Sequence, residues 1–398
     1  MKPVRKHPDP RLTILIAAVA ISALILITLP FRITTPNAIP DPVPAATAAP
    51  ESQAAASPTA APEVVPPTAE PSPTPKTVPA TEYFRANADK ESYLRYIREL
   101  SGDVEVTIDG APARIMTRYS YAMFTGKENA KGFEYLMQTI RQWIPEENIQ
   151  VEPFQYVDGM GANTWQNIVL TFPGKSLPEE QVILSAHYDS VVVFMGDAFE
   201  AAPGANDNGT GVASILELLP LLPKMQFERT LKVIFFSGEE NFQEGSAGYI
   251  QQHLDDRIIG VINLDMYGTD KDGDRCFEMY VGKLEGSLGL ANLIIDVIGR
   301  YGLNLTYDVL TTNAYDKADH RPFWEHNVPA VTLMENFLTD STLSGGGCVG
   351  IDRTDCWHLP CDTYEKINVD YAFDVGLAGI FTVTKRSEER RVGKECRS

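Results

Sequence analysis

The sequence predicts an α/β layered fold over residues 81–385, and three observations carry that prediction. Apolar runs such as QVILSAH, LKVIFFS, IIGVINLD and AVTLME alternate with stretches of helical period, the pattern of a sheet covered by helices. Several of those runs are apolar without alternation, which suits strands covered on both faces. The strong strands then end in clusters of ionisable residues, HYDS, SGEE and NLDMYG.

Taken in order, a helix is expected around Lys131–Trp143, where Phe133, Leu136, Ile140 and Trp143 recur at helical spacing. Strands follow at 149–156, 166–172 and 181–187. GVASILELLPLL reads as a helix and LKVIFFS as the next buried strand. A helix near 246–254, the strand IIGVINLD, a helix near 286–300, the strand AVTLME and a final helix around Tyr371–Thr384 complete the skeleton. No internal repeat is visible, and no second domain is required.

The flanks of this domain read differently. Residues 12–30 are expected to form a transmembrane helix: 12–29 are uncharged and almost wholly apolar, and eighteen such residues just span a hydrocarbon core of about 30 Å. Lys2, Arg5, Lys6 and Arg11 precede them, so residues 1–11 are expected in the cytoplasm and the remainder across the membrane. The alternative is a cleaved signal peptide, whose apolar region usually runs about 7–15 residues. Residues 31–80 hold 13 of the chain's 28 prolines between Pro36 and Pro79, too many for helix or central strand, and read as an extended, disordered stalk. Residues 386–398, RSEERRVGKECRS, break abruptly in composition and are similar to a translated sequencing adapter, a non-native tail in which Cys396 is not the protein's own.

Net charge and cysteines narrow the setting. A formal charge of −19 argues against nucleic acid, whose phosphates demand a basic face. Cys276, Cys348, Cys356 and Cys361 remain, three of them within fourteen residues, so an exported domain is expected to form a local disulfide there. The pairing stays open.

The ionisable clusters carry the chemistry. In strands delivering His, Asp and Glu to one sheet edge, a metal site is the natural product. His187 and Asp189 lie two apart and share a strand face, which lets the carboxylate orient the imidazole. Asp207 sits in the small-residue loop PGANDNGTG just before a helix, where Asn208 or Thr210 could equally be a helix cap. Glu239 and Glu240 are adjacent carboxylates at a strand end, which repel unless a cation compensates, and adjacent side chains can divide metal binding from proton transfer. Asp265 ends another strand, and Trp357-His358 stands in a late cysteine-flanked loop.

The ordered set AHYDS, GANDNGTG, FSGEE, NLDMYG, ADHRPF and WHLPCDT resembles the M28 family of zinc exopeptidases over about 300 residues. The resemblance implies a three-layer α/β/α sandwich with a central mixed, mostly parallel sheet. It implies two zinc ions: His187, Asp207 and Asp265 would hold one, Asp207, Glu240 and His358 the other, with Asp207 bridging. Glu239 would be the general base, Asp189 the partner that orients His187, and the Asp207–Asn208 peptide would be cis. His320 matches a histidine lining the family's substrate site, and Ala318 departs from the family's usual Ser. Glu335 could meet the substrate's free α-amino group, with a buried structural role as the competing reading. Asp362-Thr363 would form a turn holding the histidine loop, and Tyr188 and Phe323 would pack in the core.

The expected activity is therefore aminopeptidase hydrolysis of peptides with a free N-terminus, in an extracytoplasmic domain anchored by its N-terminal helix. Glutaminyl cyclases share HYDS and the GEE pair and use one zinc, and Trp357 before His358 leans their way, while GANDNGTG leans toward two metals. A receptor-like member without activity would be expected to lose a ligand or the base, and none is missing.

Overall fold

The computed structural model describes residues 79–389 apart from Met160, Phe194, Asn313, Tyr315, Asp316 and residues 338–346. The expected membrane helix, the stalk before Pro79 and the tail beyond Glu389 lie outside the described residues. Among the described residues no helix is long and apolar enough to cross a membrane.

Eight strands form one mixed sheet: β1 Ile149–Asp158, β2 Gly161–Phe172, β3 Leu177–His187, β4 Arg229–Phe236, β5 Arg257–Leu264, β6 Cys276–Tyr280, β7 Thr306–Leu310 and β8 Ala330–Glu335. Their order across the sheet is β1-β2-β4-β3-β5-β8-β6-β7. The central pairs β4/β3, β3/β5 and β5/β8 are parallel, whereas β1/β2, β2/β4 and β8/β6 are antiparallel. The central strands are buried throughout their cores, and all eight residues of β4 are buried, which is why these runs carry no polar alternation.

Eight helices of six or more residues are described: α1 Ala80–Asn87, α2 Lys90–Leu100, α3 Gly132–Arg141, α4 Gly209–Leu218, α5 Glu244–Gln252, α6 Glu285–Tyr301, α7 His320–Glu325 and α8 Val369–Glu388. Successive residues of one strand feed opposite layers. Val182, Leu184 and Ala186 of β3 pack in the large core with α4, α6 and α8, while Ile183 packs in a second core with Tyr249 and Ile250 of α5 and Phe323 of α7. The result is helix, sheet and helix in three layers.

Helices 80–87 and 90–100 and strands 276–280 and 306–310 were not legible as periodic runs. The strands are five residues each, too short for a period to register. At the other end, α8 runs to Glu388, three residues past the break in composition. Ser387 is buried there, and the Arg229 guanidinium donates to the Arg386 carbonyl at 3.1 Å.

One buried acid in this scaffold has a measurable consequence. Glu217 of α4 accepts the Asp89 N–H at 2.7 Å, and burial pushes its pKa up from 4.5 to about 7. A folded pKa above the unfolded one gives stability that is present below pH 4.5 and lost as pH rises through 7. Glu217→Gln is expected to flatten that slope and to stabilise the protein at pH 8 by about 1–3 kcal/mol. Urea unfolding of both proteins at pH 5 and pH 8 checks it; parallel pH dependences would refute it.

Candidate metal centre

The parallel register builds the site. His187, the last residue of β3, lies beside Phe236, the last of β4, and Ser185 lies beside Asn263 of β5. Asp265, just past β5, therefore stands level with His187, and Ser237-Gly238-Glu239 leaves β4 at the same edge. From β3 the chain steps to β4 on one side and later to β5 on the other, and the crevice between diverging connections is where α/β sheets bind ligands.

Two tight turns aim the carboxylates. Gly238 has φ 72°, and a Cβ there would lie 2.8 Å from the Trp165 ring, so only glycine lets the chain turn back and present Glu239 and Glu240. Asp189 then holds this turn: its Oδ1 accepts the Glu239 N–H at 3.2 Å, and its Oδ2 the Glu240 N–H at 3.4 Å and the Ser120 hydroxyl at 3.1 Å. The same Asp189 Oδ1 stands 3.6 Å from His187 Nδ1, whose shorter contact, 3.2 Å, is to the Asp189 carbonyl. One aspartate thus orients both the histidine and the glutamate pair.

Asp207 comes from the loop before α4. Asn208 caps that helix, its side chain accepting the Gly211 N–H at 3.0 Å, and the Asp207–Asn208 peptide is cis. The loop is pinned by Asp362, which accepts the N–H groups of Asn206 and Asp207 at 2.9 and 3.0 Å. The expected partner of Asp362 was the histidine loop; its carboxylate reaches instead to the Asp207 loop, tying the two together.

These elements bring all five sequence-predicted ligands into two triads that share Asp207: His187–Asp207–Asp265 and Asp207–Glu240–His358. Asp207 Oδ1 lies 3.3 Å from His187 Nε2, and its Oδ2 lies 3.3 Å from His358 Nε2. Asp265 Oδ1 is 3.3 Å from His187 Nε2 and Glu240 Oε2 is 2.9 Å from His358 Nε2. Donor atoms on a tetrahedral zinc at about 2.0–2.1 Å lie about 3.3 Å apart, so three of these four separations fit a shared ion better than a usual hydrogen bond. Glu240 Oε1 is moreover buried without a hydrogen-bond partner among the described residues. The imidazole and carboxylate set thus fits zinc.

The electrostatics point the same way. Burial lifts Glu239 well above the usual carboxylate range and Glu240 to about 7. Burial opposes a charge on His358 and His187, yet the surrounding carboxylates outweigh it, raising His358 to about 11 and His187 well above its ordinary value. A cation bound among these groups would offset the crowded negative charge and invert these shifts.

A cavity of about 210 Å³ opens onto the cluster, lined on its polar side by Asp207, Glu239, Glu240, Asp265 and His358. Glu239 Oε1 accepts the Gln243 side-chain N–H at 3.0 Å. Phe242, Met266, Met334, Phe337 and Trp357 form the apolar wall, with Lys317 also lining it. The Trp357 indole donates to Asp207 Oδ2 at 3.1 Å.

Two sequence-predicted residues stand apart from this cavity. Glu335 is fully buried and accepts from the Asn206 side chain and from the Thr269 and Thr354 N–H groups at 2.8–2.9 Å, a bracing role behind the metal loop. His320 is buried at the start of α7, its Nδ1 against the Thr332 hydroxyl and its ring against Trp324. It does not line the cavity. Tyr188 and Phe323 are core residues. Sequence reasoning missed Arg118 and Asp319, which lies buried beside the Glu239 charge with its pKa pushed to about 7 by burial. Asp319 was visible inside ADHRPF; Arg118 lies in none of the six motifs.

Residues 167–378 match peptidase family M28. Aminopeptidase YwaD of Bacillus subtilis (strain 168) is 27% identical over 241 residues, covering 58% of this chain and 48% of that protein. Leucine aminopeptidase 1 of Blastomyces gilchristii (strain SLH14081) is 28% identical over 279 residues, covering 66% and 68%. The chain thus spans about half the length of the first relative and two thirds of the second. Among solved structures, Legionella pneumophila LapA aminopeptidase superposes with a TM-score of 0.57 at 18% identity, over 80% of this chain and 79% of that one. An Acidobacteriales bacterium glutaminyl cyclase gives 0.57 at 17%, over 80% and 99%. Two chemistries therefore share this architecture, and the fold alone does not choose between them.

Proposed function

The chain belongs to peptidase family M28, and from that premise we propose that it is a two-zinc aminopeptidase removing N-terminal residues from peptides. The observation that carries this reading is Asp207, whose two oxygens face histidines of two different triads at 3.3 Å each. A single-zinc site needs only one of those triads.

When bound, two zinc ions would supply a Lewis acid for the scissile carbonyl and an acidified water at neutral pH. Glu239 belongs to neither of the two triads that share Asp207, though its carboxylate also lies close to His187 and Glu240; it takes the proton from the attacking water and returns it to the leaving amine. Asp189 keeps Glu239 and His187 in register for that transfer. Glu335 is engaged with Asn206, Thr269 and Thr354, so it is not the group that meets a substrate α-ammonium. The wall of Met266, Met334, Phe337 and Trp357 favours an apolar first side chain. The disulfides Cys276–Cys348 and Cys356–Cys361 support placing the domain outside the cytoplasm.

Zinc counted per chain, with Leu-, Arg- and Gln-terminated amides assayed with and without chelator, tests the proposal. Two zinc ions, chelator-sensitive amine release and preference for Leu over Arg are expected. One zinc, with glutamine cyclised and nothing hydrolysed, would make the protein a cyclase.

A further inference from the structure

The loop between β5 and β6 carries Asp270-Lys271-Asp272-Gly273-Asp274, three carboxylates at alternate positions. Asp352 reaches the same place from a remote segment, and each of the four offers an oxygen within 4.8 Å of the others. The loop's own cations turn away from them: Lys271 pairs with Asp355 at 2.8 Å and Arg275 with Asp374 at 2.6 Å. Hydrogen bonds from Gly273 and Arg275 N–H to Asp270, and from Asp274 N–H to Asp272, shape the turn, but any acidic turn can have those.

Asp352 is different. It is 1% exposed, and its Oδ1 accepts the Lys271 N–H at 2.8 Å, which lays the carboxylate against the loop. Its Oδ2 is buried with no hydrogen-bond partner among the described residues. A carboxylate with one oxygen withheld from water, in a group of four acids, is strongly unfavourable as an anion unless a cation meets the group. Burial raises the pKa of Asp274 and Asp352, and the neighbouring carboxylates add to it.

We propose that Asp270, Asp272, Asp274 and Asp352 form a Ca²⁺ site, separate from the zinc centre. The donors are all hard carboxylate oxygens, with no imidazole or thiolate among them, which suits Ca²⁺ better than zinc, and the exposed side at Asp272 leaves room for water to complete a shell of about 6–8 oxygens. Mg²⁺, smaller and slower to shed water, matches four crowded carboxylates less well. The site also joins two segments that matter. Asp274 Oδ2 accepts the Val349 N–H at 2.9 Å beside the Cys276–Cys348 disulfide, and Asp352 lies six residues before the zinc ligand His358. The cation clamps the loop after β5 to the segment that delivers His358 and Trp357.

The test uses the full, zinc-loaded chain dialysed free of calcium, titrated with CaCl₂, MgCl₂ or NaCl at matched ionic strength. Calorimetry is expected to show one saturable Ca²⁺ per chain, and the thermal midpoint to rise by about 3 °C or more. Asp272→Asn, at an exposed position, and Asp352→Asn are each expected to weaken Ca²⁺ binding at least about tenfold and to leave zinc content unchanged. No calcium effect beyond that of NaCl, or wild-type calcium binding by Asp272→Asn, would overturn the site. Equal binding of Mg²⁺ would overturn its assignment to calcium.

Discussion

Glu239→Gln is expected to lower kcat by about 10²–10⁴-fold while the zinc content stays that of the wild type. The reason is a division of labour between two adjacent carboxylates. Glu240 Oε2 lies 2.9 Å from His358 Nε2 and completes a triad, whereas Glu239 Oε1 accepts the Gln243 side-chain N–H at 3.0 Å on the cavity wall. A glutamine keeps the size and an acceptor oxygen for Gln243 but cannot carry a proton between water and amine. Its KM should change little, since no binding contact is removed. Steady-state kinetics with metal analysis decides the matter. Near-normal turnover would remove Glu239 from the role of base, and loss of zinc would make it a ligand.

The second large effect is expected far from any motif. Arg118 is fully buried and donates from Nε to the Tyr188 carbonyl at 2.9 Å, from Nη1 to Leu100 and Pro203 at 2.6 and 2.7 Å, and from Nη2 to Gly204 at 2.8 Å. Burial lowers its pKa to about 10, so it remains a cation at neutral pH, supported by Asp362, Asp189 and Asp207. It joins the end of α2, the exit of β3 and the Asp207 loop, where Gly204, at φ +53°, passes so close that a Cβ would lie 2.3 Å from the Asp207 carbonyl. Arg118→Met strands four carbonyls and removes the positive charge facing the carboxylates, which should cost about 3–5 kcal/mol of stability. Arg118→Lys keeps the charge with fewer donors and should fall between. Urea unfolding gives the stability, and zinc retained against rising chelator gives the state of the Asp207 loop. A loss under about 1 kcal/mol with wild-type zinc retention would show that the loop stands without this clamp.

Much of the site was readable because its residues are local to strand ends. His187, Glu239, Glu240 and Asp265 each follow an apolar run, and a parallel sheet places the carboxyl ends of its strands at one edge. The structure brings these four together with Asp207 and His358. The roles of Glu335 and His320 were less readable. Both sit within a residue or two of strand or helix ends that face the site, yet burial turns Glu335 toward Asn206 and His320 toward Thr332. Which way such a side chain points depends on neighbours that no local pattern names.

What the sequence by itself determined was the alternation of buried strands and helices, and the identity of the ionisable residues at the strand ends. These follow from periodicity and from chemistry that only certain side chains can supply. Only the tertiary structure decided which residues brace them. Arg118 meets carbonyls up to 86 residues away, Asp362 meets the Asp207 loop across 155, and Asp352 meets Lys271 across 81. Cys276 likewise pairs with Cys348 and leaves Cys356 to Cys361. The reason is the same in each case: a hydrogen bond, an ion pair or a disulfide is set by distance in space. Chain separation constrains that distance only weakly once a sheet has brought remote segments to one edge.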